Sequence, residues 1–348
     1  MTSVALVGCA HIHTPKFVAM LLAREDIKVP VVWDHEPARA ERTASRLGAS
    51  VALDLEPIWA DDRIRAVVIC SETARHGALV MPAVRAGKHI FVEKPLAIGG
   101  RDAGDLAEAI EAAGLIFSTG YFLRGLAAHR FLRDEIAAGR FGRISRISVS
   151  LAHAGALAGW FDDEWRWMAD PSLAGFGALG DLGSHGLDLV LWLLGHRVDV
   201  VRVAAWTGSL TGRYGAIDEC GQALLELADG SAASLWASWV DAADPVQLVV
   251  TGTHASAAVL DGRLSYRRTL AGIDPEVPAQ ALPAELPHAF ELFLDAITSG
   301  DGQDLVTPGQ AARCSVLVEA LYRAAGERTW VPTTAVAPAV SPDRVRPG

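Results

Sequence analysis

No stretch of about 18 consecutive apolar residues occurs in the chain, so a membrane-spanning helix is not expected. The apolar residues from Met1 to Ala10 lack a basic flank and are followed at once by polar ones. They are not read as a secretory leader, and a cytoplasmic location with no membrane partner is expected. Cysteine is scarce: Cys9, Cys70, Cys220 and Cys314 lie far apart, with neither a Cys-x-x-Cys pair nor zinc-ribbon spacing. Isolated buried thiols in a reducing compartment are the reading. Basic charge is also short. Lys and Arg number 31 against 41 Asp and Glu, a formal net charge of −10, and no basic run overrides it. Such a surface repels phosphate backbones, which excludes nucleic acid as a partner.

The 348 residues exceed one ordinary core and suit two domains. In the first third, short apolar runs alternate with helical patterns: Val4–Val7, Val29–Trp33, Ala66–Cys70, His89–Val92 and Leu115–Thr119 against Phe17–Leu22, Pro37–Leu47, Arg75–Ala86 and Asp102–Ala113. Strands that are apolar on both faces, separated by helices, predict a doubly wound parallel sheet of Rossmann type. After about Tyr121 the pattern changes. A helix is expected over Gly125–Ala138 and a half-exposed strand over Arg143–Leu151. A long Gly- and Trp-rich loop then runs from Ala154 to Gly183, before a helix from Leu182 to Leu194. Alternating runs near Asp199–Trp206, Gly221–Leu227, Ala232–Trp239, Gln247–Thr251 and Ala257–Leu260 predict an open, largely antiparallel sheet. Helices over His288–Thr298 and Gly309–Ala324 close the chain. The expected division is a nucleotide-binding domain over 1–122, a substrate-binding and oligomerisation α/β domain over 123–331, and a surface tail over 332–348.

The turn Gly8-Cys9-Ala10-His11-Ile12-His13 lies between the first strand and helix, where a dinucleotide fold places its pyrophosphate. Against G-x-G-x-x-G only the first glycine is present. Asp34, 26 positions after Gly8, ends the second strand. A carboxylate there would bind the adenosine ribose and repel a 2′-phosphate, and no Arg follows at once, which favours NAD over NADP. The bland alternative is a cap on the loop before Pro37. His11 and His13 have metal-ligand spacing, but no further ligand is evident, so loop-packing or phosphate-facing roles are preferred and no metal is expected. Lys94 follows an apolar strand at the sheet's C-terminal edge, where it could donate to a reacting oxygen. Asp181, His185 and Asp188 share one face of a helix, and a His beside a carboxylate is poised to exchange a proton. For these two segments a surface Lys and a buried, satisfied His are the alternatives. Trp160, Trp165 and Trp167, beside Asp162, Asp163 and Glu164, suit a polyhydroxylated ligand or else fill the core between domains. Arg124 and Arg166 could bind an anionic substrate group or structural carboxylates.

Taken in order, these segments resemble the Gfo/Idh/MocA family. They are Gly8, Asp34, the run Ala83 to Leu96 with Glu93-Lys94-Pro95, Gly120 to Arg124, Trp165-Arg166, and Gly175 to His185 with Asp188. The resemblance implies Lys94, Asp181 and His185 as the catalytic set, with His185 the proton acceptor, Lys94 steadying the substrate hydroxyl and Asp181 orienting the pair. It implies an NAD site drawn from Gly8, Cys9, Ala10, His11, Ile12, Asp34, Ser71, Glu72, Thr73, His76, Glu93, Lys94 and Pro95. A substrate site would draw on Tyr121, Arg124, Trp165, Arg166, Asp181 and His185. It further implies a homodimer or homotetramer built on the second sheet, and hydride transfer at a carbinol carbon of a sugar, glycoside or cyclitol. An NAD-dependent glycosidase needs the same Lys and His. A non-catalytic NAD- or sugar-binding regulator has no need of the proton acceptor. Two departures touch the cofactor cradle: the missing glycines, and Ser71-Glu72-Thr73 where the family commonly shows Thr-Pro-Asn.

Overall fold

The computed structural model describes residues 1–243, 246–268 and 281–333. The first part runs β1 (Thr2–Cys9), α1 (Thr14–Leu22), β2 (Ile27–Trp33), α2 (Pro37–Leu47), β3 (Ser50–Val51), α3 (Glu56–Ala60), β4 (Ile64–Cys70), α4 (His76–Arg85), β5 (His89–Val92), α5 (Gly100–Ala112) and β6 (Phe117–Ser118). The second runs α6 (Ala127–Ala137), β7 (Ile144–Ala152), α7 (Pro171–Ala174), α8 (Ala178–Leu193), β8 (Val200–Gly208), β9 (Cys220–Leu227), β10 (Ala232–Ser238), β11 (Val246–Gly252), β12 (Ala255–Leu260), β13 (Arg263–Arg268), α9 (Ala289–Ser299), α10 (Pro308–Glu327) and β14 (Val331–Pro332).

The first sheet is parallel throughout, in the order β3-β2-β1-β4-β5-β6. Its central strands are buried on both faces, which is why they read as unbroken apolar runs. All the C-terminal strand ends, including Cys9, Cys70 and Val92, therefore open on one edge. The second sheet has eight strands in the order β13-β12-β11-β7-β10-β9-β8-β14. Only β7 and β10 run parallel; the other pairs are antiparallel. One face of this sheet is covered by α8 and α10, and its alternating burial matches the period-2 pattern of the sequence.

The last helices return to the first sheet. Phe290, Phe293 and Leu294 of α9 sit in the same core as Phe17 and Phe91. The Phe17 and Phe290 ring centroids are 4.5 Å apart, and those of Phe91 and Phe290 4.9 Å. α10 lies on α5 at a contact only Gly100 allows: a Cβ there would stand 2.9 Å from Val316 Cα. The Gly100 amide donates to Glu319 at 2.7 Å.

The structure departs from the sequence reading in places. α8 begins at Ala178, four residues before the expected start, because its N-terminus is capped from far along the chain rather than locally. The Asp218 carboxylate accepts from the amides of Gly177 (3.1 Å) and Leu179 (2.9 Å). The Tyr322 hydroxyl accepts from Gly177 and Gly180, both at 3.0 Å, and donates to Asp218 at 2.7 Å. The edge strands β3, β13 and β14 and the short α3 and α7 were not anticipated; all but β13 have five residues or fewer, too few for a periodic signal. The expected tail lies, from residue 334 on, outside the described residues. The four cysteines are buried and free, as anticipated. No described helix is long and apolar enough to cross a membrane.

Phe293→Ala is expected to cost about 3–5 kcal/mol, the range for deleting a buried phenyl ring. A denaturant midpoint equal to that of the parent would show that α9 adds nothing to the first sheet's core.

Candidate active site

Lys94 follows β5 on the first sheet, and Asp181 lies in the first turn of α8 over the second. Their side chains meet in a buried ion pair, 3% and 14% exposed. The other Asp181 oxygen accepts from the Trp239 indole at 2.9 Å. Burial opposes the Asp181 charge, but the Lys94 ammonium outweighs it and holds the carboxyl well below its usual range. One helical turn on, His185 is buried beside the rings of Phe122 and Tyr121, at 5.3 and 5.7 Å between centroids. Burial, helped by the Lys94 cation, keeps His185 well below the ordinary imidazole range, so it is neutral at pH 7. Its Nδ1 has no partner among the described residues.

These side chains face a cavity of about 540 Å³. Its polar wall holds His11, His13, Lys94, Asp181 and His185; Trp160, Phe161, Trp165 and Phe122 supply aromatic faces. The structure thus brings together Lys94, Asp181, His185, His11, Ile12 and Trp165, all singled out in the sequence. Trp160 faces the cavity, whereas Trp167 is buried in the core and donates to Ala10 O at 2.8 Å.

Other expected contacts are corrected. Arg124 is held away from the cavity by Asp188, which it grips through two nitrogens, and by Gln310 at 2.8 Å. Both Asp188 oxygens are thereby taken. Tyr121 is buried beneath His185 and does not reach the cavity. Arg166 lies over the Tyr214 ring, 5.4 Å from its centroid, and faces a second cavity instead. Of the acids beside the tryptophans, Asp162 is taken by Arg213 and Tyr214.

That second cavity, of about 480 Å³, lies beside the segments that follow β2 and β4 and is lined by His35, Glu36, Arg39, Arg42, Glu72 and Arg75 among others. Asp34 does not reach it. Its buried carboxylate accepts from the amides of Cys9 (2.6 Å) and Glu36 (2.8 Å) and from Arg39 (3.0 Å), the geometry of the loop cap. Glu72, expected at the cofactor, also pairs with Arg39, at 3.0 Å. His76 lines neither cavity. Its Nδ1 donates to Pro95 O at 3.0 Å and holds the loop that carries Lys94. Cys9 is in the core, its thiol pushed up to about 12 by burial.

The residues of the turn fit a dinucleotide. Gly8 has φ +85°, and a Cβ there would stand 2.7 Å from Ser71 Cβ, so Gly8 and Ser71 keep the strand ends close. Thr14, in the first turn of α1, sets a buried hydroxyl beside the Cys70 thiol at a helix end that favours phosphate. Thr73, Lys94 and Pro95 line the narrow space between the two cavities, with Trp167 standing between them.

Residues 2–121 match the model of the oxidoreductase family with an NAD-binding Rossmann fold, and residues 129–258 match the Gfo/Idh/MocA C-terminal domain. Together these segments make up more than half of the chain. The chain belongs to the Gfo/Idh/MocA family, and its N-terminal part is an NAD-binding Rossmann domain. It is 34% identical to a 1,5-anhydro-D-fructose reductase of Ensifer adhaerens over 46% of this chain and 46% of that protein. It is 29% identical to a levoglucosan dehydrogenase of Pseudarthrobacter phenanthrenivorans over 47% of this chain and 42% of that one. The match thus spans about half the length of these curated relatives. An inositol dehydrogenase homologue of Azotobacter vinelandii, solved with NAD+, superposes with a TM-score of 0.81 at 22% identity, over 95% of this chain and 97% of the other. That likeness bears on the fold.

Some site residues gave no signal in the sequence. Trp239 reads as the end of a strand, and Leu151 and His153, at the end of β7, as strand and loop. The pairing of β7 with β10 brings Leu151 and His153 to the cavity wall and the buried Trp239 against Asp181.

Arg124→Met leaves Asp188 buried without its cation, and a loss of about 3–5 kcal/mol in unfolding free energy is expected. Arg124→Met/Asp188→Leu should recover most of it. A double variant as unstable as the sum of the two single ones would show that the pair is not coupled.

Proposed function

We propose that the protein is an NAD-dependent oxidoreductase acting on a carbinol carbon of a sugar, glycoside or cyclitol. The observation that carries this reading is the buried Lys94–Asp181 pair beside a neutral, unpartnered His185, all facing one cavity with aromatic walls. The bound nicotinamide would supply or take the hydride. Lys94 donates to the substrate oxygen and stabilises the negative charge that grows on it. His185, neutral at working pH, accepts the carbinol proton at Nδ1. Asp181, held by Trp239, keeps the Lys94 ammonium aimed. Trp160 and Trp165 offer ring faces to the C–H face of a polyol, as their exposure to the cavity allows. The names of the relatives, an anhydrofructose reductase and a levoglucosan dehydrogenase, support the substrate class.

The same reading divides the chain into a nucleotide-binding part over 1–122, a substrate-binding part over 123–331 and a tail over 332–348, with a cytoplasmic location. It includes a homodimer or homotetramer through the second sheet. Exposed Trp206, Leu224 and Leu260 on β8, β9 and β12 support that surface.

The test is NADH absorbance with NAD across a panel of sugars, glycosides and inositols, with sugar products read in parallel. NADH growth with one class is expected; cleavage without net NADH would mean a glycosidase that uses NAD transiently. His185→Ala should lower turnover by about 10²–10⁴-fold, the usual share of a general base, while NADH still binds. Unchanged turnover would remove His185 from the reaction.

A further inference from the structure

We propose that His11, His13 and Glu93 form a binding site for one divalent first-row transition cation of the zinc type, in the wall of the cavity that holds Lys94, Asp181 and His185. The sequence offered only two of the three ligands, a His-x-His pair in the β1–α1 turn. The parallel sheet completes it, because β5 ends beside β4, which itself adjoins β1, and so delivers Glu93 to the same edge.

The donor atoms of these three residues all lie within 4.8 Å of one another. His13 Nδ1 is 3.0 Å and His11 Nδ1 3.9 Å from Glu93 Oε1. Donors held about 2 Å from one ion stand roughly 3–4 Å apart, so small side-chain adjustments close the set. Two imidazoles and one carboxylate make a donor set suited to such ions, and it leaves coordination positions open.

The surroundings also favour a cation. The Glu93 side chain is fully buried. Its Oε2 accepts from the Lys94 amide at 3.0 Å, which fixes the carboxylate plane as an outer-shell partner does. The Lys94 ammonium is taken by Asp181, so Oε1 faces the two imidazoles. The His13 amide reaches His11 Nδ1 at 3.2 Å, a long contact that ligation would replace.

Position 13 does not need the glycine it replaces. His13 has φ −82° and ψ −10°, ordinary helical values, so the substitution adds an imidazole without strain. His13 and His11 both line the cavity, which gives the ion an entry path and an open side. The chemical group that would meet that side is a pair of neighbouring oxygens, as in a vicinal diol or an α-hydroxycarbonyl. This last step rests on the polyol reading above; the ion site does not.

The experiment uses untagged, chelator-stripped protein titrated with Co²⁺, read by visible d–d absorption and equilibrium dialysis, with NADH binding measured by fluorescence on the same samples. One ion per chain with intense, low-symmetry bands is expected. His13→Ala, at a side chain 37% exposed, should fold as the parent does, confirmed by its melting curve. It should lose more than the roughly 10–100-fold in affinity that removal of an outer-shell partner costs. Glu93→Gln is the second variant and should also lose the ion. No stoichiometric binding, the weak bands of a surface-bound hydrated ion, or binding unchanged in both variants overturns the proposal. NADH binding without Co²⁺ binding would overturn the ion site and leave the cofactor reading standing; Co²⁺ binding without NADH binding would do the reverse.

Discussion

The ion pair between Lys94 and Asp181 is the contact on which the site depends. Each partner belongs to a different sheet, so the pair exists only when both sheets have formed and docked. Taking two charges out of water costs several kcal/mol per ion, and their attraction offsets this only with good geometry and further hydrogen bonds. The structure supplies both. The Trp239 indole fills the second Asp181 oxygen, and the His76 imidazole holds the loop from which Lys94 projects. Asp218 and Tyr322 set the first turn of α8 and hence the position of Asp181.

The electrostatics around the pair follow from burial. His11 and His185 both lie in the interior, where a charged imidazole is disfavoured, and His11 is pushed down to about 3. Neutral imidazoles can accept a proton or a metal ion. The same wall therefore carries a fixed cation, a buried carboxylate and uncharged nitrogen donors within one cavity. At the other end of the nucleotide cleft the charges are arranged differently. Arg39 bridges Asp34 and Glu72, so the carboxylate expected to face a ribose is already compensated.

Much of this was legible in the sequence because it is local. Strands such as β5 and helices such as α2 announce themselves by hydrophobic period, Lys94 follows a strand that the pattern places, and Asp181 and His185 stand four apart, at the spacing of one helix face. What was not legible is what distant segments do to one another. Nothing near Ala178 marks a helix start, since its cap comes from Asp218 and Tyr322. Arg124 and Arg166 look free as letters, and only packing reveals that Asp188 and the Tyr214 ring hold them. Glu72 is a departure in the cofactor cradle by its letter, and only packing turns its side chain to Arg39. Glu93 was assigned to the cofactor, and its approach to His11 and His13 requires the strand order of the first sheet.

The measurement that tests the account most directly is a double-mutant cycle on turnover with Lys94→Met, Asp181→Asn and the double variant. If the two residues act as one unit, the double variant loses about as much activity as either single one. Losses that add in free energy would contradict the central claim, because the two side chains would then act independently of their ion pair.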